Sequence, residues 1–248
     1  DEITEDNLND AICSFDLLAD VLFDFTIYRS DSEVKLVSNI HHLIIDAYSL
    51  KLFFDDVMKV YNGGVVEKEL INMFDVALNE KYFEDSIEYR DSEIFFGGLV
   101  KDYEDIKVPR NQMDYTLEKS FKNVSVELNK LNIGDFCNEN NISPSVLFMA
   151  SVLVVLDKFT YSTKSLLTNI YNGRQNPQYF NVIGELSKEL PLIIDRNNRS
   201  QSIKSFLSNI KDAWNNVLEY SSYPFENMFV DKNITPTITY RYFEDYLK

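Results

Sequence analysis

The 248 residues are 45% hydrophobic and include 18 Phe and 15 Tyr, enough for one large or two modest domains with a sizeable core, which excludes global disorder. A net charge of −16, from 24 Lys and Arg against 40 Asp and Glu, argues against a nucleic-acid binder and against an anionic membrane surface as partner. The longest apolar run, Val146 to Leu156 with only Ser151 inside it, is too short to span a bilayer.

In chain order, residues 5–14 read as a short helix or loop. Val21 to Tyr28 and Val34 to His41 have strand character, and the polar turn at residues 29–33 makes them a hairpin. Leu50, Phe53, Phe54, Val57, Met58 and Tyr61 recur at helical spacing from about Tyr48, predicting a core-facing helix that Gly63-Gly64 ends. Residues 68–82 and 86–104 read as two more helices. The polar stretch 105–118, with Pro109, is expected to link an N-terminal lobe segment, 1–104, to a C-terminal one, 119–248. The second segment opens with a strand, Ser120 to Leu128, and a helix from Asn132 to Asn140. Ser143 caps and Pro144 starts a helix that is apolar nearly all round and so is expected to be buried. A strand from Ser165 to Tyr171 closes at Asn172-Gly173-Arg174, and Leu190 to Asp195 is another. Residues 200–220 form an amphipathic helix carrying Trp214, and Thr235 to Phe243 reads as a final strand. The fold class is α/β, in the α+β sense of mixed helices and sheets.

Cys13 and Cys137 have no framework spacing, so two reduced thiols in a cytoplasmic protein are expected. Asp1 to Asp6 lacks the basic start and apolar run of a signal peptide, and the chain opens without Met, as an excised segment of a longer one would.

The chain's two histidines, His41 and His42, stand side by side where the second strand ends and a turn into the helix begins. Imidazole accepts a proton near neutral pH, given a fixed tautomer and direction. Neighbouring side chains at a strand end point to opposite faces, so only one of the pair is available as a working base. Asp46 lies just past the turn, placed to order it or to bind an arginine from another element. Ser49, in the first helical turn, is placed to cap the helix or to donate a hydrogen bond nearby. On residue physics alone the commoner outcome is two ordinary histidines, one half-buried and one wet. Two adjacent histidines and one aspartate, with no further His and no Cys-x-x-Cys, make a poor metal set, and no metal is expected.

His41-His42-Leu43-Ile44-Ile45-Asp46, followed by Ala47, Ser49 and a helix ending Tyr61-Asn62-Gly63, resembles the core motif of the condensation domains of nonribosomal peptide synthetases, members of the chloramphenicol-acetyltransferase-like acyltransferase superfamily. Other stretches follow the family's order. Phe15-Asp16-Leu17 leads in, and Phe74-Asp75-Val76-Ala77 is a looser match. Asn172-Gly173-Arg174, Val182-Ile183-Gly184 and Leu190-Pro191-Leu192 resemble the family's Gly-Arg … Ile-Gly-x-Phe-Val-Asn-Thr-x-Pro-Leu stretch, and Tyr223-Pro224-Phe225-Glu226 is a close match. Departures are Ala47 for the usual glycine, Leu186, Ser187 and Lys188 for Phe, Val and Asn, and Tyr220 for a histidine.

The resemblance implies two acetyltransferase-like lobes in a V, here truncated at both ends. It implies His42 as the catalytic histidine, with His41, Asp46, Ala47 and Ser49 in support and Gly173 and Arg174 structural or near the tunnel. The family's first two motifs, including an arginine that holds the aspartate, are expected upstream of Asp1, leaving Arg29 and Arg174 as candidates for that contact here. The implied activity is amide formation between a carrier-bound donor thioester and an acceptor amine. The implied partners are donor and acceptor peptidyl carrier proteins and an adenylation domain in the same chain. No cofactor is expected on the domain itself, because phosphopantetheine on the carriers holds the substrates. Three alternatives share the motif: a free-standing acyltransferase, an epimerisation domain and a catalytically silent carrier-binding module. The epimerisation domain's Glu-Gly-His-Gly-Arg has no counterpart Glu or His in Ile170-Tyr171-Asn172-Gly173-Arg174.

Overall fold

A computed structural model describes residues 12, 14–104, 123–128, 131–160, 164–195, 201–234, 236 and 238–242. By their contacts these fall into two compact units. One draws on residues 1–81 and 172–187, the other on 82–171 and 188–243.

In the first unit, β1 (Phe23–Arg29) and β2 (Val34–Ile40) pair antiparallel, Phe23 opposite Ile40 and Arg29 opposite Val34. The hairpin expected from the alternating pattern is therefore present. A 3-10 turn, His42–Ile44, connects β2 to α1 (Ala47–Tyr61). Gly63 and Gly64 close α1, their N–H groups donating to the carbonyls of Val60 and Lys59. The apolar row of α1 is less buried than its spacing predicts. Leu50, Phe53 and Val57 are half-buried, while Phe54, Met58 and Tyr61 are exposed. A two-stranded hairpin offers one narrow face, and Phe25 of β1 stacks on Phe53 with ring centroids 5.3 Å apart. Helix α2 (Met73–Glu84) starts in this unit and sends Val76 into a small core with Val182 and Leu186 of the 172–187 segment.

The second unit holds α3 (Ile87–Val100), α4 (Ile133–Asn140), α5 (Pro144–Thr160), β3 (Lys164–Tyr171), β4 (Lys188–Asp195), α6 (Ile203–Glu219), α7 (Glu226–Asp231) and β5 (Thr239–Tyr240). Its sheet has the order β4-β3-β5, with β3 antiparallel to β4 and parallel to β5. The middles of β3 and β4 are buried without alternation, as strands covered on both faces are. Leu167, Leu192 and Ile194 join Met149, Leu153 and Ile210 in one core; Leu166 and Ile193 join Phe96, Val217 and Phe225 in another.

Ser143 caps α5 as expected, its hydroxyl accepting from Val146 N at 3.2 Å. Burial all round that helix does not follow: Val146, Met149, Leu153 and Leu156 are buried, but Val155 and Phe159 stand exposed. Residues 123–128 of the strand expected at Ser120–Leu128 are not in strand conformation, and its first residues lie outside the described ones. The short element at 5–14 lies mostly, and the linker at 105–118 entirely, outside the described residues. The contact-based units also group the chain otherwise than a cut after residue 104, with α3 in the second unit and residues 172–187 in the first. No single helix among the described residues is long and apolar enough to cross a membrane.

Candidate active site

The turn between β2 and α1 is shaped by its own side chains. Ladder pairing stops at Ile40, and His41 N donates to Leu22 O at 2.9 Å. The His41 ring then turns inward on the chain, its Nδ1 accepting from Leu43 N at 3.1 Å. It lies nearly perpendicular to the Phe15 ring, with ring centroids 6.3 Å apart. His41 thus holds the turn, and its Nδ1 lone pair is committed to the backbone. His42 opens the 3-10 turn with its side chain 69% exposed and Nδ1 2.6 Å from Glu185 Oε2. The two neighbours divide as strand-end geometry requires, one tied to the turn and one presented outward.

Asp46 caps α1 by accepting from Ser49 N at 2.7 Å. Ser49 is therefore not the cap. It is fully buried, donates to Gly184 O at 2.8 Å and accepts from Gly184 N at 2.9 Å. Of the two arginines considered for Asp46, Arg174 makes the contact. Its Nη1 donates to Asp46 Oδ2 at 2.7 Å and its Nη2 to Oδ1 at 3.2 Å. Nη2 also donates to Ser49 Oγ at 2.6 Å and to Val182 O at 3.1 Å, while Nη1 donates to Asn172 O at 2.9 Å. The Tyr48 ring lies 4.5 Å below the guanidinium carbon. Planar forks suit this shared recognition of a carboxylate, a hydroxyl and two carbonyls better than an ammonium does.

Arg174 and Asp46 are both inaccessible to solvent, at 0% and 3% side-chain exposure. Burial by itself pushes the Asp46 carboxyl up. The hydrogen bond from Arg174, those from Ser49 N and Leu186 N, and the guanidinium charge together outweigh it and hold the group below the usual carboxylate range. Asp46 is therefore an anion at neutral pH and a structural one.

Gly173 and Gly184 let the 172–187 segment approach this closely. Gly173 has φ +67°, and a Cβ there would fall 1.7 Å from Leu186 O. A Cβ on Gly184 would meet Met73 Sδ at 2.1 Å. Ala47, where glycine is usual in the resembled family, is exposed at the first position of α1 and carries no strain of this kind.

Sequence reading missed Glu185, whose contact with His42 spans more than 140 positions. The only signal was an acid at the unspecified position that follows the family-like Gly184. A separate cleft of about 770 Å³, lined by Leu52, Asp56, Lys59, Leu70, Ile71 and Asn181 among others, does not include His42. Among the described residues no cluster of three or more His, Cys, Asp or Glu side chains is placed to hold a metal ion.

A sequence model of the condensation domain matches residues 1–238, and the chain belongs to that family. Fusarin C synthetase of Gibberella moniliformis is 22% identical over 222 residues, covering 85% of this chain and 6% of that protein. Tyrocidine synthase 2 of Brevibacillus parabrevis is 22% identical over 239 residues, 92% of this chain and 7% of that one. Among solved structures, VibH, a nonribosomal peptide synthetase condensation enzyme, superposes with a TM-score of 0.71 at 18% identity, covering 93% of this chain and 55% of that one. The mixed helix-and-sheet fold is thus the chloramphenicol-acetyltransferase-like fold of condensation domains, whose members are acyl- and peptidyl-transferring enzymes. The chain spans about half the length of such a solved domain and a small fraction of the curated synthetases.

Proposed function

We propose that this chain is the part of a condensation domain that presents the catalytic histidine for amide formation between two carrier-bound substrates. The observation that carries the reading is His42, exposed on a turn whose backbone is clamped by the buried Asp46–Arg174–Ser49 network. In this step the acceptor amine nitrogen attacks the carbonyl carbon of the donor thioester. A C–N bond forms, the C–S bond breaks, and the thiolate of the donor carrier's phosphopantetheine leaves. His42 takes the proton that the amine loses and returns it to the departing sulfur. A thioester is already activated, so positioning of the amine accounts for much of the rate, with proton transfer adding roughly 10²–10⁴-fold.

The partners are then a donor and an acceptor peptidyl carrier protein and a neighbouring adenylation domain, in the cytoplasm. The synthetases among the relatives support such a multidomain setting. In this reading the domain itself binds no cofactor, and the acidic chain has no nucleic-acid or membrane partner.

The test uses the full-length protein with one carrier loaded with a donor acyl group and the other with an acceptor amino acid. The acceptor is expected to gain the donor acyl mass with the wild type and not with His42→Ala. Transfer only to a free amine or alcohol would make it a stand-alone acyltransferase. Inversion of a carrier-bound residue without mass gain would make it an epimerase. Equal transfer by both proteins would remove His42 from the chemistry.

A further inference from the structure

Glu185 occupies the position that the family-like Ile-Gly-x-Phe stretch leaves unspecified, and its carboxylate is placed against His42. Oε2 lies 2.6 Å from His42 Nδ1. That oxygen is shut off from solvent and makes no aligned hydrogen bond among the described residues, so the His42 ring nitrogen 2.6 Å away is the group placed to satisfy it. Oε1 is fixed from the other side by Ser187, whose amide donates at 2.9 Å and whose hydroxyl donates as well. The carboxylate is thus held at one oxygen and directed at the imidazole with the other. His41 has no such partner among the described residues; its Nδ1 accepts from the backbone instead.

We infer that Glu185 is a positioning residue that fixes His42 as the Nδ1–H tautomer and so leaves the Nε2 lone pair free to accept the amine's proton. A carboxylate only accepts hydrogen bonds, so a neutral imidazole facing it carries its proton on the facing nitrogen. Ring direction is set at the same time, as for metal-binding histidines held by a carboxylate. Ser187, where the family usually has valine, gains a purpose: its N–H and O–H keep Glu185 from rotating away.

The inference rests on His42 being the working base, but its first test does not depend on activity. Glu185→Gln keeps the shape. Ser187 N–H selects the amide oxygen for the Oε1 place, which turns the NH₂ group toward Nδ1. Nδ1 must then accept, and the proton moves to Nε2. In the intact protein labelled with ¹⁵N-histidine, the His42 signals are those lost in His42→Gln. At a pH where the imidazole is neutral, wild-type His42 is expected to show a protonated Nδ1 and an unprotonated Nε2, and Glu185→Gln the reverse. A wild-type His42 protonated on Nε2, or a tautomer unmoved by Glu185→Gln, would overturn the inference. With loaded carriers, Glu185→Gln is expected to lower turnover about 10²-fold or more at an unchanged KM, and Glu185→Asp to recover part of it. The expected tautomer swap in a protein that forms no amide would refute the condensation reading and leave the dyad standing. Amide formation at the wild-type rate with the tautomer swapped would refute the positioning role alone.

Discussion

At the residue scale the decisive group is Asp46, because it is ionised where no water reaches it. Its two oxygens take hydrogen bonds from Arg174, Ser49 N and Leu186 N. Removing one partner of such a pair strands the other charge in the interior, which costs ~3–5 kcal/mol. Arg174→Ala and Asp46→Ala are each expected to lose about that much in urea unfolding, while the double variant loses less than the sum because it strands nothing. The pH dependence follows from the lowered Asp46 value. A carboxyl held lower in the folded state contributes stability that is fully present above its unfolded value, near 3.8, and is lost as pH falls through the folded value. Between about pH 5 and the lowest pH at which the protein stays folded, wild-type stability should therefore fall more steeply than that of Asp46→Asn. Parallel slopes would mean that Asp46 has no depressed value to lose. From sequence, Asp46 was a candidate for an arginine partner, but Arg29 and Arg174 stood level. Proximity along the chain says nothing about a bond across 128 positions.

At the element scale, the hairpin, α1 and the helices with caps or clear periodicity were legible. Serine before Pro144, the glycine pair after Tyr61 and the apolar spacing of α1 are local signals that local geometry obeys. The exposed face of α5 was not legible, because an apolar composition does not say which side finds a neighbour. Nor was the segment 172–187, whose conformation is set by what it reaches. Its two glycines make different demands, and this separates two substitutions. Alanine at Gly173 combines a left-handed φ of +67° with a Cβ 1.7 Å from a backbone oxygen, which only a backbone shift relieves. Alanine at Gly184 meets the thioether end of Met73, which has rotatable bonds to give. Gly173→Ala is expected to cost roughly 3 kcal/mol or more and to loosen the Asp46–Arg174 pair. Gly184→Ala should cost about 1–2 kcal/mol. Denaturant midpoints check the order, and equal losses would show that the Gly173 backbone moves freely.

At the scale of the whole molecule, sequence reading divides a chain along its length, and contacts need not. A polar stretch with a proline marks 105–118 as a natural place to cut. Yet the unit carrying His42 includes residues 172–187, which supply Arg174, Glu185 and the Val182 and Leu186 that cover Val76. The site is therefore completed late in the chain, and among the described residues the counter-charge paired with its aspartate is Arg174. Residues 1–104 produced alone would bury Asp46 unpaired, or leave it in water at the expense of the buried contacts around the turn. Either cost, with Val76 uncovered and α1 half-exposed, exceeds what a two-stranded hairpin supplies, since such hairpins are marginal by themselves. The 1–104 fragment is expected to show no cooperative urea transition under conditions where the whole chain shows one, with circular dichroism as the readout. A fragment that unfolds cooperatively near the midpoint of the whole chain would mean that the turn holds its shape without Arg174, and that the clamp steadies His42 rather than building the place where it stands.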